Sequence, residues 1–261
     1  MSRGNLDITD GDQVKRVFED LRPEVVINAA AYTSVDGAES DSEAAMAVNR
    51  DGVKNLARCC RQYGVKLIHV STDFVFDGLA NTPIPPSSSP NPISVYGRSK
   101  AEGEAACLEE LGEEALIVRS AWVYASGYRN FVATMIRLMN ERDEISVVED
   151  QLGTPTWAGT LATAIYGLND AAASGIHHVT DNGVASWYDF AVAIRDIGVQ
   201  SGLVRGLPRI RPIRSADYVT PASRPAYGVL DNTSTCVILG SPAPHWRSNL
   251  EKCLEDWRQP Q

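Results

Sequence analysis

The sequence predicts an α/β fold: a doubly wound parallel sheet followed by a smaller C-terminal lobe. Two observations carry this. Apolar runs of strand length, "EVVINAAAY", "VKLIHVST" and "ALIVRSAWVY", are continuous rather than alternating, as strands buried on both faces are. Between them lie segments with apolar residues at helical spacing, the alternation that builds βαβ units.

Taken in order, "TDGDQVKRVFEDLRP" opens with capping residues Thr9 and Asp10. It then places Val14, Val17, Phe18 and Leu21 at helical spacing and stops at Pro23. The first apolar run follows. Residues 41–63 predict a helix, with Gly64 as its cap. After the second run, residues 78–91 form a loop with prolines at 83, 85, 86 and 90. Residues 94–111 predict a helix and "ALIVRSAWVY" the third strand. "NFVATMIRLMN" reads as a helix and "EISVVE" as a fourth short strand. The sheet domain spans residues 1–150 and the smaller lobe 151–261, with some chain exchange between them. In the lobe, "TWAGTLATAIYGLNDAAA" and "SWYDFAVAIRDIG" are helices around a short strand, "IHHVT". An arginine-rich loop and a final amphipathic piece, "HWRSNLEKCLEDW", follow.

The 261 residues carry a net charge of -9, which argues against a non-specific nucleic-acid binder. No run of about 18 apolar residues is present. The 5 cysteines are odd in number and lack C-x-x-C spacing, so reduced thiols and a cytoplasmic location are expected. The histidines show no zinc-like spacing. Against the acidic balance, residues 201–224 hold Arg205, Arg209, Arg211, Arg214 and Arg224 beside a single acid, Asp217. That stretch is either a solvated basic loop or an anion site.

In open α/β sheets the ligand lies at the carboxyl ends of the strands. "NAAAYTSVD", "STDFVFDG" and "SAWVYASG" fall there. The stretch "SVYGRSK" places Tyr96 and Lys100 four residues apart, hence on one helix face. A phenol titrates near 10, and an adjacent ammonium favours its ionised form, so such a tyrosine can exchange a proton with a carbonyl oxygen. Thr72, or else its neighbour Ser71, supplies a hydroxyl to the same oxygen. Only one of the two can face inward.

Taken with "LDITD", "AVNRDGVKNLA", "NPISVYGRSKAEGE", "VRSAWVYASGYRNFV", "DQLGTPTWAGTLA" and "RPAYGVLD", these stretches resemble the dTDP-4-dehydrorhamnose reductase family, extended short-chain dehydrogenases/reductases of Rossmann fold. The resemblance implies reduction of the C4 ketone of a dTDP-deoxysugar by NADPH or NADH, in polysaccharide biosynthesis. It implies catalytic roles for Thr72, Tyr96 and Lys100. It places Asp7, Ile8, Asn28, Ala29, Ala30 and Thr33, together with Tyr96 and Lys100, along the cofactor. Trp122, Gln151, Thr154 and Arg224 fall on the substrate side. A Mg2+ requirement is left open. Two features depart from the family: the loop "NTPIPPSSSPNP" lacks acidic residues, and Gly228 stands where serine is common.

The family's glycine-rich turn, G-x-G-x-x-G or G-x-x-G-x-x-G, does not occur in this sequence. Its βαβ unit is expected to be missing, which would weaken cofactor binding and make the reductase a poor one. It would also leave "VVINAA" as an apolar edge strand that a second copy or another chain could cover. The alternative reading is a non-catalytic regulatory or binding subunit resembling the beta subunit of methionine adenosyltransferase, or an inactive fragment.

Overall fold

In the computed structural model, which describes Gly4 and residues 6–257, the first helix is opened by Asp10. Its carboxylate accepts from the Gln13 N–H, satisfying a donor the first turn leaves free. Helix α1 (Gly11–Leu21) buries Val14 and Phe18 and ends at Arg22, whose φ of 45° is left-handed. Strand β1 (Val25–Asn28) follows, and the alanines after it leave the strand. The segment predicted as one helix over 41–63 is interrupted. After α2 (Val35–Ser40) come α3 (Ser42–Met46), a π-helical turn (Ala47–Gly52) and α4 (Val53–Tyr63), capped by Gly64. The π turn has an identifiable cause. Asn49, fully buried within it, binds both the N–H and the carbonyl of Tyr32 and donates to Ser99.

Strand β2 (Lys66–Thr72) leads through the proline loop to α5 (Val95–Leu111), whose cap Ser94 accepts from Gly97 N–H. Then come β3 (Leu116–Ser120), β4 (Val123–Tyr124), α6 (Phe131–Glu141), β5 (Glu144–Val148), β6 (Leu152–Gly153), β7 (Thr156–Trp157) and α7 (Ala158–Asp170). The chain closes with β8 (Gly175–His178), β9 (Ala185–Ser186), α8 (Trp187–Gln200), β10 (Arg209–Ile213), α9 (Thr233–Leu239) and α10 (Trp246–Asp256).

The central sheet is parallel, in the order β1-β2-β3-β8, with Ile27 beside Ile68 and Ile68 beside Leu116. Alternate residues face opposite layers. Leu67 and Ile117 pack with Val14, Phe18 and Leu56 on one side. Ile68, Leu116 and Val118 pack with Leu161 and Leu168 of α7 on the other. A third cluster, centred on Phe190, Ile194 and Leu250, unites α6, α8 and α10 with β5 and β10. Strand β1 lies at the edge of the sheet, as expected, and its Ile27 is 41% exposed.

Two short strands exchange their expected places. "IHHVT", expected in the smaller lobe, forms β8 and extends the central sheet beside β3. "EISVVE", expected as a fourth strand of that sheet, forms β5 and pairs in parallel with β10 instead. The reason lies in patterning. In β5, Ile145 and Val147 are buried while Glu144 and Ser146 are exposed, so the strand is half-buried. β10 also removes much of the arginine-rich loop. Arg209 faces Glu144 and Arg214 faces Glu149 in exposed ion pairs, and Arg211 donates to Ser146.

Candidate active site

Helix α5 is pressed hard against its neighbours, and that closeness places Tyr96 and Lys100. A Cβ on Gly97 would lie 2.1 Å from the Phe74 carbonyl oxygen, and one on Gly103 would lie 2.1 Å from that of Asn49. The Tyr96 ring meets Phe74 edge to face, with centroids 5.5 Å apart. Lys100 is buried, and its Nζ donates to the Val70 carbonyl at 2.7 Å and lies 3.4 Å from His69 Nε2.

Thr72 and Ser71 divide as strand geometry requires. The Ser71 hydroxyl is engaged by Glu104 Oε1 at 2.5 Å, within a buried Arg119–Glu104 pair. The Thr72 hydroxyl donates to Asp73 Oδ1 and remains beside the phenol. Thr72, Tyr96, Lys100 and Thr33 line one hollow of about 870 Å³, together with Asp73, Trp122, Trp187 and Arg224. A second hollow of about 740 Å³ runs along β1 past Asp7, Ile8, Asn28, Ala29 and Ala30. Ile27, Ala29 and Ala31 border both, so the two meet at the end of β1.

Electrostatics here are governed by burial. It pushes the Tyr96 phenol up to about 12, against a lowering by the Thr72 hydroxyl and with a further rise from Asp73. The tuning expected from Lys100 is therefore outweighed: the Lys100 amine is engaged by Val70 and His69, and burial brings it down to about 8, with Glu104 and Cys107 pulling upward. Burial also raises Asp73 to about 7, opposed by Thr72 and backbone N–H groups.

A family model, RmlD substrate binding domain, matches residues 1–259. The chain belongs to the RmlD substrate-binding-domain family. Among its relatives, dTDP-4-dehydrorhamnose reductase of Streptomyces griseus is 42% identical over 256 residues, covering 96% of this chain and 82% of that protein. The crystal structure of dTDP-4-dehydrorhamnose reductase from Bacillus anthracis in complex with NADP has a TM-score of 0.90 at 35% identity and covers 98% of this chain and 89% of the other. The corresponding ortholog from Clostridium acetobutylicum has a TM-score of 0.92 at 36% identity, covering 99% and 90%.

In this RmlD-family chain the substrate-side residues do not all converge. Trp122, Gln151 and Arg224 border a small recess with Asp73, Trp187 and Gly228. Gln151 donates to Ser215. Thr154 is buried, and its hydroxyl donates to the Gly183 carbonyl. Of the five arginines singled out in the sequence, Arg224 alone lines the large hollow. Its Nη2 donates to Asp36 Oδ2 at 2.8 Å. A Cβ on Gly228 would lie 2.5 Å from Asp73 Oδ2, so a glycine leaves room for that carboxyl group.

Sequence reasoning passed over Asp73, Trp187, Asp36 and His69. Asp73 follows directly on Thr72 in "STD", and its position was the available signal. Trp187 stacks on Trp122 with centroids 3.6 Å apart and planes 7° apart, a contact that no spacing discloses. Trp122 itself has a φ of 48°, rare for a bulky residue and frequent at functional sites. No group of three or more His, Cys, Asp or Glu able to hold a metal occurs among the described residues. The residues at the catalytic hollow suit the reactive end of a dinucleotide: the alanines at the end of β1 leave it open, and the buried Lys100 borders it. The β1 groove it joins is lined mainly by apolar side chains, Val17, Phe18, Val26 and Leu56 among them.

Proposed function

We propose that this chain is an NAD(P)H-dependent reductase that reduces the C4 ketone of a dTDP-deoxysugar, dTDP-4-dehydrorhamnose, in dTDP-rhamnose and polysaccharide biosynthesis. The observation that carries the reading is the convergence of Thr72, Tyr96 and Lys100 on one hollow that joins the β1 groove. The names of the relatives support this over a regulatory subunit.

The dinucleotide, when bound, supplies a hydride to the ketone carbon. Asp7, Ile8, Asn28, Ala29, Ala30 and Thr33 would hold it along the β1 groove, and Lys100 would hold its reacting end in the hollow. Tyr96, protonated at neutral pH, gives its proton to the carbonyl oxygen as that oxygen gains negative charge, which leaves the alcohol and a phenolate. The Thr72 hydroxyl holds the same oxygen in place. Arg224 opposes the diphosphate, and the Trp122–Trp187 stack walls the substrate side. Gln151 and Thr154 support that wall through Ser215 and Gly183.

No helix among the described residues is long and apolar enough to cross a membrane, and the cysteines are free thiols. We place the protein in the cytoplasm on that basis, and place a homodimer or partner chain at the open β1 edge.

The test is NADPH titration by tryptophan fluorescence, followed by NADPH consumption with dTDP-4-dehydrorhamnose. Substrate-dependent oxidation is expected. Tight NADPH binding with no oxidation would overturn the reading.

A further inference from the structure

His69 is completely buried between strand β1 and helix α5, and the reduction as described makes no use of it. Its surroundings fix where its proton sits. The Ala30 N–H can only donate, and it meets Asn28 Oδ1 at 3.1 Å, so that atom is the amide oxygen. The Asn28 NH2 group therefore faces His69 Nδ1, at 3.1 Å. An amide NH2 cannot accept, so Nδ1 must be the acceptor. Burial and the nearby Lys100 hold the ring neutral by lowering its pKa well below the usual range. A neutral ring accepting at Nδ1 carries its proton on Nε2. That Nε2–H points at Lys100 Nζ, 3.4 Å away.

An ammonium has donors only, so a protonated Lys100 meets the Nε2–H as donor against donor. A neutral amine would accept from it. The Lys100 ammonium instead donates to the Val70 carbonyl at 2.7 Å. Other titratable groups offset this only in part: Glu104 and Cys107 pull Lys100 upward. On α5, Glu104 is already bound by Arg119 through two bonds of 2.9 and 2.7 Å, and burial pushes the Cys107 thiol up to about 12. Tyr96 lies one turn back on the same helix, and Asp73 follows β2 with its carboxyl bonded to Thr72. Among the described residues no carboxylate forms an ion pair with Lys100.

We infer that His69 is a positioning residue for the reduction: held by Asn28 as the Nε2–H tautomer, it turns the Lys100 ammonium toward Val70 and the hollow and favours release of its proton. The inference rests on the proposed reductase reading for its consequence in turnover. It also links Lys100 to the Ala30 peptide on the cofactor path. Reversing the tautomer would require the Asn28 amide to flip and forfeit the Ala30 bond.

The experiment is long-range 1H–15N NMR of the full chain labelled at histidine, from pH 6 to 10. The His69 signal is identified by its loss in His69→Gln. The expected result is a neutral ring with a protonated Nε2 and an unprotonated Nδ1. The Nε2 resonance should follow a titration near pH 8 that vanishes in Lys100→Met. A protonated Nδ1, an imidazolium, or an Nε2 signal blind to Lys100 would overturn the inference. Both kinetic variants should move the basic limb of the kcat profile upward. His69→Gln should move it by roughly one unit, the loss of one hydrogen bond. Asn28→Asp, which forces the proton onto Nδ1, should move it further. A limb that stays in place in both would also overturn it. The tautomer is read without turnover, so an inactive chain would refute the reductase reading and leave the NMR result standing.

Discussion

Arg224 Nη2 lies 2.8 Å from Asp36 Oδ2 and joins residues 188 positions apart. Asp36 also accepts from the Ala222 N–H, and Arg224 Nη1 donates to Thr220 and to the Ala222 carbonyl. The guanidinium is thus held by two segments at once. Arg224→Lys keeps the charge and loses the fork. Its KM for the sugar nucleotide should rise about tenfold, the equivalent of ~1.4 kcal/mol, with kcat changed little. Steady-state kinetics on the variant checks this.

Tyr96→Phe removes one hydroxyl and leaves the ring contact with Phe74 intact. The rate should fall by about 10²–10⁴-fold, the usual contribution of a general acid. NADPH binding by fluorescence and the thermal midpoint should stay near those of the parent chain.

Asp73 predicts a particular stability profile. Its folded pKa, about 7, lies above the ordinary carboxyl value of 3.8 because the group is buried. Between these values the folded state binds more protons than the unfolded one, so stability from this group is complete at acid pH and is lost as pH rises toward 7. Urea unfolding at a series of pH values should show this decline, and Asp73→Asn should flatten it.

Gly153 faces the Trp122 indole, and a Cβ there would lie 2.6 Å from Trp122 Cε2. The indole has little freedom to yield, since Trp187 stacks on its other side. Gly153→Ala should cost about 1–3 kcal/mol, the range for overpacking, and should raise KM for the sugar nucleotide. Thermal unfolding together with kinetics separates the two effects.

The strands and main helices were legible because their apolar runs and caps are local signals. Asp10 and Gly64 cap where their residue types predict, and the helix expected from residue 94 begins at Val95 with Ser94 as its cap. That Tyr96, Lys100 and Thr72 share one hollow was legible because four-residue spacing and a strand end carry geometry. What escaped depends on distant partners. The π turn exists because Asn49 binds Tyr32 and Ser99. The exchange of β5 and β8 turns on which strand each one meets. Asp36 becomes significant only when Arg224 arrives from the far end of the chain. The rise of the Tyr96 pKa depends on the depth of a hollow that no spacing encodes.

The position of β1 also bears on how the protein breathes. Its neighbour β2 is hydrogen-bonded on both sides, whereas β1 is clasped on one side among the described residues. Amides of β1 that point away from β2 should trade their hydrogens for solvent deuterium early, while those of Ile68, Val70 and Thr72 persist. The sheet thus has a slow interior and a fast margin, and that fast margin is the strand that ends in Asn28, next to His69, the neighbour of Lys100.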